Sequence, residues 1–293
     1  MAMISVTMLS SYLYCARKLY LEKVLGLREP PKKSLALGTV RHEVHELINN
    51  TEESIVSRVR EGTGHEDILS MYKNAHSGIL RDVIKKHKEK LAEFGLDQGE
   101  VFRQMQPKVM LESERRAENV SAFMEKHRIY GRELWDKLTP KILSEFRVES
   151  ESLGLRGVVD QIEIHEGRII PVELKTGRNP SDGAWPGHRI QLLSYMLLLS
   201  ENGDQDTAGK EVGEGRIIYL DTGRCVPFMM NPFAEKEVKG MISKIADLIT
   251  SKKLPPPCGN ENKCRACGLR EDCFNEHGLK ARIRTMEPGK GGE

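Results

Sequence analysis

Asp160 and the tripeptide Glu173-Leu174-Lys175 are residues whose types and spacing could do chemistry. Asp160 lies in LRGVVDQIEI and the tripeptide in IIPVELKT, and both segments read as strands. Side chains alternate across a strand, so Glu173 and Lys175 share one face while Val172 and Leu174 point into the core. If the two strands form a hairpin, Asp160 comes alongside Glu173, and two carboxylates converge with an ammonium. Mg²⁺ and Mn²⁺ are hard cations that take oxygen ligands, so paired Asp and Glu suit them. A metal held there can polarise a phosphate, activate a water and steady a leaving oxygen. Lys175 could stabilise developing charge, or position and deprotonate the water. Taken alone, an E-x-K on a strand is more often a surface ion pair on a solvated sheet face.

Two flanking segments add donors. Gly38-Thr39-Val40-Arg41-His42-Glu43 places His42 on a helix, and a His beside carboxylates favours Mn²⁺ next to Mg²⁺. Gln191 and Tyr195 lie four apart on a later helix, hence on one face. Isolated residues of these kinds are usually packing or surface groups.

The cysteines form a second constellation. The tail holds Cys258, Cys264, Cys267 and Cys273, the last three spaced C-x₂-C-x₅-C, and Cys15 stands far upstream. A C-x₂-C pair aims two sulfurs at one centre and opens many zinc and iron–sulfur sites. The spacing admits a local set of the four tail cysteines, or a split set of Cys15 with Cys264, Cys267 and Cys273. Cys225 stands alone on an expected strand and reads as a small buried hydrophobe.

The elements that must position these groups follow from periodicity. Residues 8–25 read as a helix capped by Ser10 or Ser11 and stopped near Gly26, with a second helix from about Leu35. Residues 51–140 are polar, helix-favouring and apolar at i, i+3, i+4, which predicts three to five helices. From 142 the period switches to two, giving three strands with turns at Ser152–Gly154 and His165–Gly167. A helix over 186–200, strands at 215–221 and 223–229, and a helix over 234–251 follow. Pro255-Pro256-Pro257 then opens the Cys-rich tail, and the last residues read as disordered. This order predicts a mixed α/β sandwich and not a regular βαβ repeat. Its parts are N-terminal helices (1–50), a helical insertion (51–140), an α/β core (141–253), a Cys-rich segment (254–280) and a flexible tail (281–293).

The chain has 293 residues, of which 30% are charged and 39% hydrophobic. With a net charge of only +2, any nucleic-acid contact must use a local basic patch. No signal peptide and no apolar run of about 20 residues is present, so no membrane association and a cytoplasmic location are expected. In a reducing cytosol, clustered cysteines bind metal more often than they form disulfides.

GTVRHE (38–43), GVVDQI (157–162), PVELK (171–175) and QLLSY (191–195) occur in an order that resembles the RecB-like branch of the PD-(D/E)-x-K nuclease superfamily. The resemblance implies a restriction-endonuclease-like core, a mixed central sheet flanked by helices. Position by position it makes His42, Asp160, Glu173 and the Leu174 carbonyl metal ligands and Lys175 the catalytic lysine. Gln191 and Tyr195 become supporting residues. SSYLYCARKLY (10–20), joined to the terminal C-x₂-C-x₅-C, resembles the CRISPR-associated Cas-four exonuclease family. That resemblance implies a [4Fe–4S] cluster on Cys15, Cys264, Cys267 and Cys273, clamping the two ends of the chain and leaving Cys258 outside. It implies Mg²⁺ or Mn²⁺, and an exonuclease preferring single-stranded DNA that trims ends for spacer acquisition beside the CRISPR integrase proteins. Trp185 and Tyr195 are candidates for base stacking. The competing readings are a repair or recombination nuclease outside CRISPR and a catalytically silent iron–sulfur DNA-binding scaffold. No helicase P-loop occurs in the sequence.

Overall fold

The computed structural model describes residues 3–201, 209–251 and 253–285. A short strand, β1 (Ile4–Ser5), leads into α1 (Val6–Tyr14) and α2 (Ala16–Lys23). The single helix expected over 8–25 is thus two. It starts directly after Ser5, upstream of Ser10 and Ser11, and breaks at Cys15, whose backbone is extended at φ −167°, ψ 112°. The break frees the thiol to cap the second helix: Cys15 Sγ accepts the Lys18 amide at 3.4 Å.

A helical layer follows: α3 (Lys33–Val56), α4 (His65–Lys86), α5 (Lys88–Glu93), α6 (Gln98–His127) and α7 (Gly131–Lys137). The boundary expected at residue 50 falls inside α3. Val40, Val44 and Ile48 recur every turn and bury against Leu80, Val83, Val101 and Met105. Farther along, Ile55 and Val56 pack with Tyr72, Val120 and Leu134. One polar network sits inside this layer. The buried Arg116 guanidinium donates to Glu52 at 2.5 Å, to Glu112 at 2.8 Å and to Asn49. A buried charge persists only with such partners. Asn49 in turn donates to Ser144 of the sheet.

The sheet comprises β1, β2 (Lys141–Ser150), β3 (Leu155–Ile164), β4 (Ile169–Lys175), β5 (Glu214–Tyr219) and β6 (Arg224–Met229). Its order is β1-β3-β4-β5-β6, with β2 on the other edge of β3. β2, β3 and β4 run as successive antiparallel hairpins, while β4 and β5 are parallel. The parallel pair needs a crossover, supplied by α8 (Pro186–Glu201). Ten consecutive residues of that helix, Ile190–Leu199, are buried. It is enclosed by the sheet on one side and by α1 and α9 (Pro232–Thr250) on the other, in one core with Val148, Val159, Ile162 and Ile217.

The ladder between β2 and β3 is interrupted at one step. Ser144 pairs with Gln161 and Phe146 with Val159, and Glu145 between them has φ +51°. Side chains change sheet face across this step. Ser144 meets the helical layer through Asn49, whereas Phe146 and Val159 enter the core beneath α8. On its other edge β3 pairs with β1 at Leu155 and Arg156 and with β4 from Gln161 onward. Asp160 lies in the gap.

The Cys-rich segment forms α10 (Glu261–Ala266), α11 (Arg270–Phe274) and α12 (Glu276–Thr285). Leu269 and Leu279 bury against Tyr20, Leu21 and Leu25, so apolar packing already joins the two ends. The flexible tail expected from residue 281 is corrected, because α12 continues to Thr285; residues 286–293 lie outside the described residues. Among the described residues, no helix is long and apolar enough to cross a membrane.

Candidate active site

The hairpin register aligns Gln161 with Val172, and one step further Asp160 comes beside Glu173. Asp160 Oδ2 accepts the Leu174 amide at 2.8 Å, which fixes the carboxylate across the gap. α3 brings His42 to the same place, with Nδ1 3.6 Å from Asp160 Oδ1. From α8, Gln191 Oε1 accepts Lys175 Nζ at 2.9 Å, and Gln191 Nε2 donates to Tyr195 Oη at 3.3 Å. Lys175 also pairs with Glu173 Oε1. His42, Asp160, Glu173, Leu174, Lys175, Gln191 and Tyr195 are therefore brought together.

Glu145 joins them, and the sequence reading missed it. One ligand atom each from His42, Glu145 and Asp160 lie within 4.8 Å of one another. In ILSEFRVES this glutamate looks like any outward residue of an alternating strand. The signal is its register opposite Asp160, together with a φ of +51° that non-glycine residues rarely adopt.

The electrostatics show a site short of positive charge. Burial pushes the Glu173 carboxyl up to about 8, and the Asp160 charge adds to the shift against the pull of Lys175. Burial likewise raises Asp160 to about 6, opposed by Lys175 and the Leu174 amide. Glu173 Oε2 is buried with no hydrogen-bond partner among the described residues. An orphaned buried carboxylate oxygen is costly, and a cation beside it would satisfy it. His42 is pushed down, chiefly by burial, towards the neutral ring that can offer a lone pair. The donor set fits a divalent cation.

The stacking role expected of Tyr195 is corrected. The residue is 2% exposed, packed under the sheet and inaccessible to a base. Trp185 is 45% exposed at the entrance to α8, its indole N–H donating to the Arg178 carbonyl at 2.9 Å.

A second site lies where the chain ends meet. Cys15, Cys258, Cys264, Cys267 and Cys273 line one cavity, together with Lys18, Lys263 and Arg270. Cys258, expected outside, is inside: Gly259 turns the loop at φ +67° and Asn260 caps α10, setting Cys258 Sγ 3.7 Å from Cys264 Sγ. Arg17 donates to the Cys273 carbonyl at 2.7 Å and the Pro255 carbonyl at 2.8 Å, fastening α2 to the tail. Convergent thiols flanked by cations suit an iron–sulfur cluster, whose ligands are thiolates. Cys225 is on β6 but exposed, which corrects the expectation of a buried hydrophobe.

The chain resembles proteins of known kind. In an alignment 171 residues long that covers 55% of this chain, it is 33% identical to the CRISPR-associated exonuclease Cas4/endonuclease Cas1 fusion of Leptospira interrogans, covering 31% of that protein. The CRISPR-associated exonuclease Cas4 of Rhodospirillum rubrum is 33% identical over 43% of this chain and 37% of its own length. The human DNA replication ATP-dependent helicase/nuclease DNA2 is 25% identical over 92% of this chain and 26% of its own length. The chain thus spans well under half of these relatives. The family model described as the PD-(D/E)XK nuclease superfamily matches residues 3–274. With that match running through both carboxylate-bearing strands and the cysteine segment, the chain belongs to the PD-(D/E)XK nuclease superfamily.

Proposed function

We propose that this protein is a metal-dependent DNA exonuclease that prefers single strands. The observation that carries the reading is the meeting of His42, Asp160 and Glu173 beside Lys175, with Glu173 Oε2 lacking a hydrogen-bond partner among the described residues. His42, Glu145, Asp160, Glu173 and the Leu174 carbonyl would hold Mg²⁺ or Mn²⁺. When bound, the cation supplies Lewis acidity towards a phosphate oxygen and a low pKa for water. Lys175, held by Glu173 and Gln191, presents its ammonium to the charge that develops on the phosphate, or positions the attacking water and, as the neutral amine, takes its proton. Tyr195 holds Gln191, which sets the Lys175 head. Labelled single-stranded DNA incubated with Mn²⁺, Mg²⁺ or EDTA tests this. Cleavage with either metal and none with EDTA is expected, and absence of cleavage by intact protein would leave a binding scaffold.

The cavity of five thiols would hold a [4Fe–4S] cluster through Cys15, Cys264, Cys267 and Cys273, strapping the chain ends together. Iron and acid-labile sulfide in equal amounts are expected, and zinc in their place would reject the cluster. The Cas4/Cas1 fusion supports a role in trimming DNA for CRISPR spacer acquisition, with integrase proteins as partners. The match to DNA2 over 92% of the chain favours a second reading, a repair or replication nuclease outside CRISPR. Pull-down with a CRISPR integrase separates them: stable association supports the first and its absence the second.

A further inference from the structure

Five thiols line the cavity, yet a [4Fe–4S] cluster takes four. Cys264, Cys267 and Cys273 come from one short stretch spanning α10 and α11. Two thiols then compete for the remaining iron. Cys15 sits at the break between α1 and α2, its Sγ on the Lys18 amide. Cys258 sits on the loop before α10, 3.7 Å from Cys264 Sγ, and lines the same cavity as Cys15. Cys258 is exposed, so it adds no core packing. Its place is explained by what it faces.

We propose that Cys258 is a reserve cluster ligand that exchanges with Cys15 at one iron, so that the C-terminal segment can carry the cluster without the N-terminal helices. This rests on the reading that the cavity holds a cluster. The exchange is a ligand substitution. An Fe–S bond to Cys258 forms as the one to Cys15 breaks, the Cys258 proton passes to the departing Cys15 thiolate, and no electron is transferred. Both thiols line the one cavity, so the proton's donor and acceptor share a single space. With Cys15 released, the ends remain joined by Arg17 on the tail carbonyls and by the apolar packing around Leu269. The exchange therefore loosens the clamp while keeping the cluster.

The test compares wild type, Cys15→Ala, Cys258→Ala and the double variant, purified without oxygen, by iron, sulfide and visible absorbance. Both single variants should keep wild-type iron and colour, and the double variant should lose them. A folded, colourless Cys15→Ala beside a coloured wild type overturns the exchange alone, as does a double variant that stays coloured. Wild type lacking iron and sulfide overturns the cluster reading and the exchange with it. Should Cys15→Ala fail to fold, brief alkylation of the wild-type holoprotein decides. Exchange places label on Cys15 in some molecules and on Cys258 in others, never on both, with the exposed Cys225 labelled throughout. Label confined to one of the pair, on neither, or on both in one molecule overturns it.

Discussion

The ring of Tyr195 lies against the bare backbone of Gly157, so close that a β-carbon there would stand 2.6 Å from Cε1. Tyr195 holds Gln191, and Gln191 holds the Lys175 ammonium. A glycine three residues before Asp160 thus sets the depth at which α8 meets the site. Gly157→Ala should push the ring away and lower stability by about 1–3 kcal/mol, the usual cost of overpacking. DNA cleavage should fall more than the loss of folded protein accounts for. Urea unfolding and initial rates on single-stranded DNA check this; unchanged rate and stability would sink the packing argument.

Lys175→Met keeps the stem and removes the charge. Cleavage should drop by about 10²–10⁴-fold, the range for a positioned acid–base group. DNA affinity measured in Ca²⁺, by filter binding, should change little. A variant that cleaves at the wild-type rate would remove Lys175 from the chemistry.

Glu145→Gln preserves shape and removes one anionic donor. Metal affinity, read from the Mn²⁺ dependence of cleavage, should weaken by about 10–100-fold, the loss seen when groups supporting a metal site are changed. The maximal rate at saturating Mn²⁺ should recover in large part. An unaltered Mn²⁺ dependence would place Glu145 outside the metal site.

His76 is fully buried, its Nδ1 2.8 Å from Ser113 Oγ, and burial together with Arg116 pushes its pKa down to about 3. The unfolded chain takes up a proton near pH 6.5 that the folded one refuses. Stability from this residue is therefore full above pH 6.5 and lost as pH falls from there towards 3. His76→Phe keeps an aromatic ring against Tyr72, whose centroid lies 5.4 Å away, and removes the titration. Between pH 7 and pH 5, the wild type should lose about 2 kcal/mol more than the variant in urea titrations. Equal losses would show that another group governs the acid response.

Cys264→Ala in a Cys258→Ala background removes two neighbouring thiols and leaves only Cys15, Cys267 and Cys273 in the cavity. Visible cluster absorbance should disappear and the melting temperature should fall, because ligation of this kind is coupled to folding. Retention of a full cluster would overturn the assignment of Cys264 as a ligand.

The segments bearing Asp160, Glu173 and Gln191 were legible as strands and helix because their periods are local, fixed by backbone repeat and side-chain alternation. The Cys15 break was hidden, since every residue from Leu9 to Lys23 is compatible with one continuous helix. β1 was hidden as well, being two residues long and held by pairing with Leu155 and Arg156 far along the chain and by burial of Ile4 in the core.

Residue order and type alone determined the alternating strands, the helix pair Gln191 and Tyr195, and the C-x₂-C-x₅-C spacing. Only the tertiary structure decided that Glu145 faces Asp160, that Cys258 turns into the thiol cavity and that Tyr195 is sealed beneath Gly157. Each of these depends on an interrupted ladder, a loop closing on a distant helix, or a helix settling on a sheet. Such contacts are paid for by burial across long stretches of chain, and no local period records them.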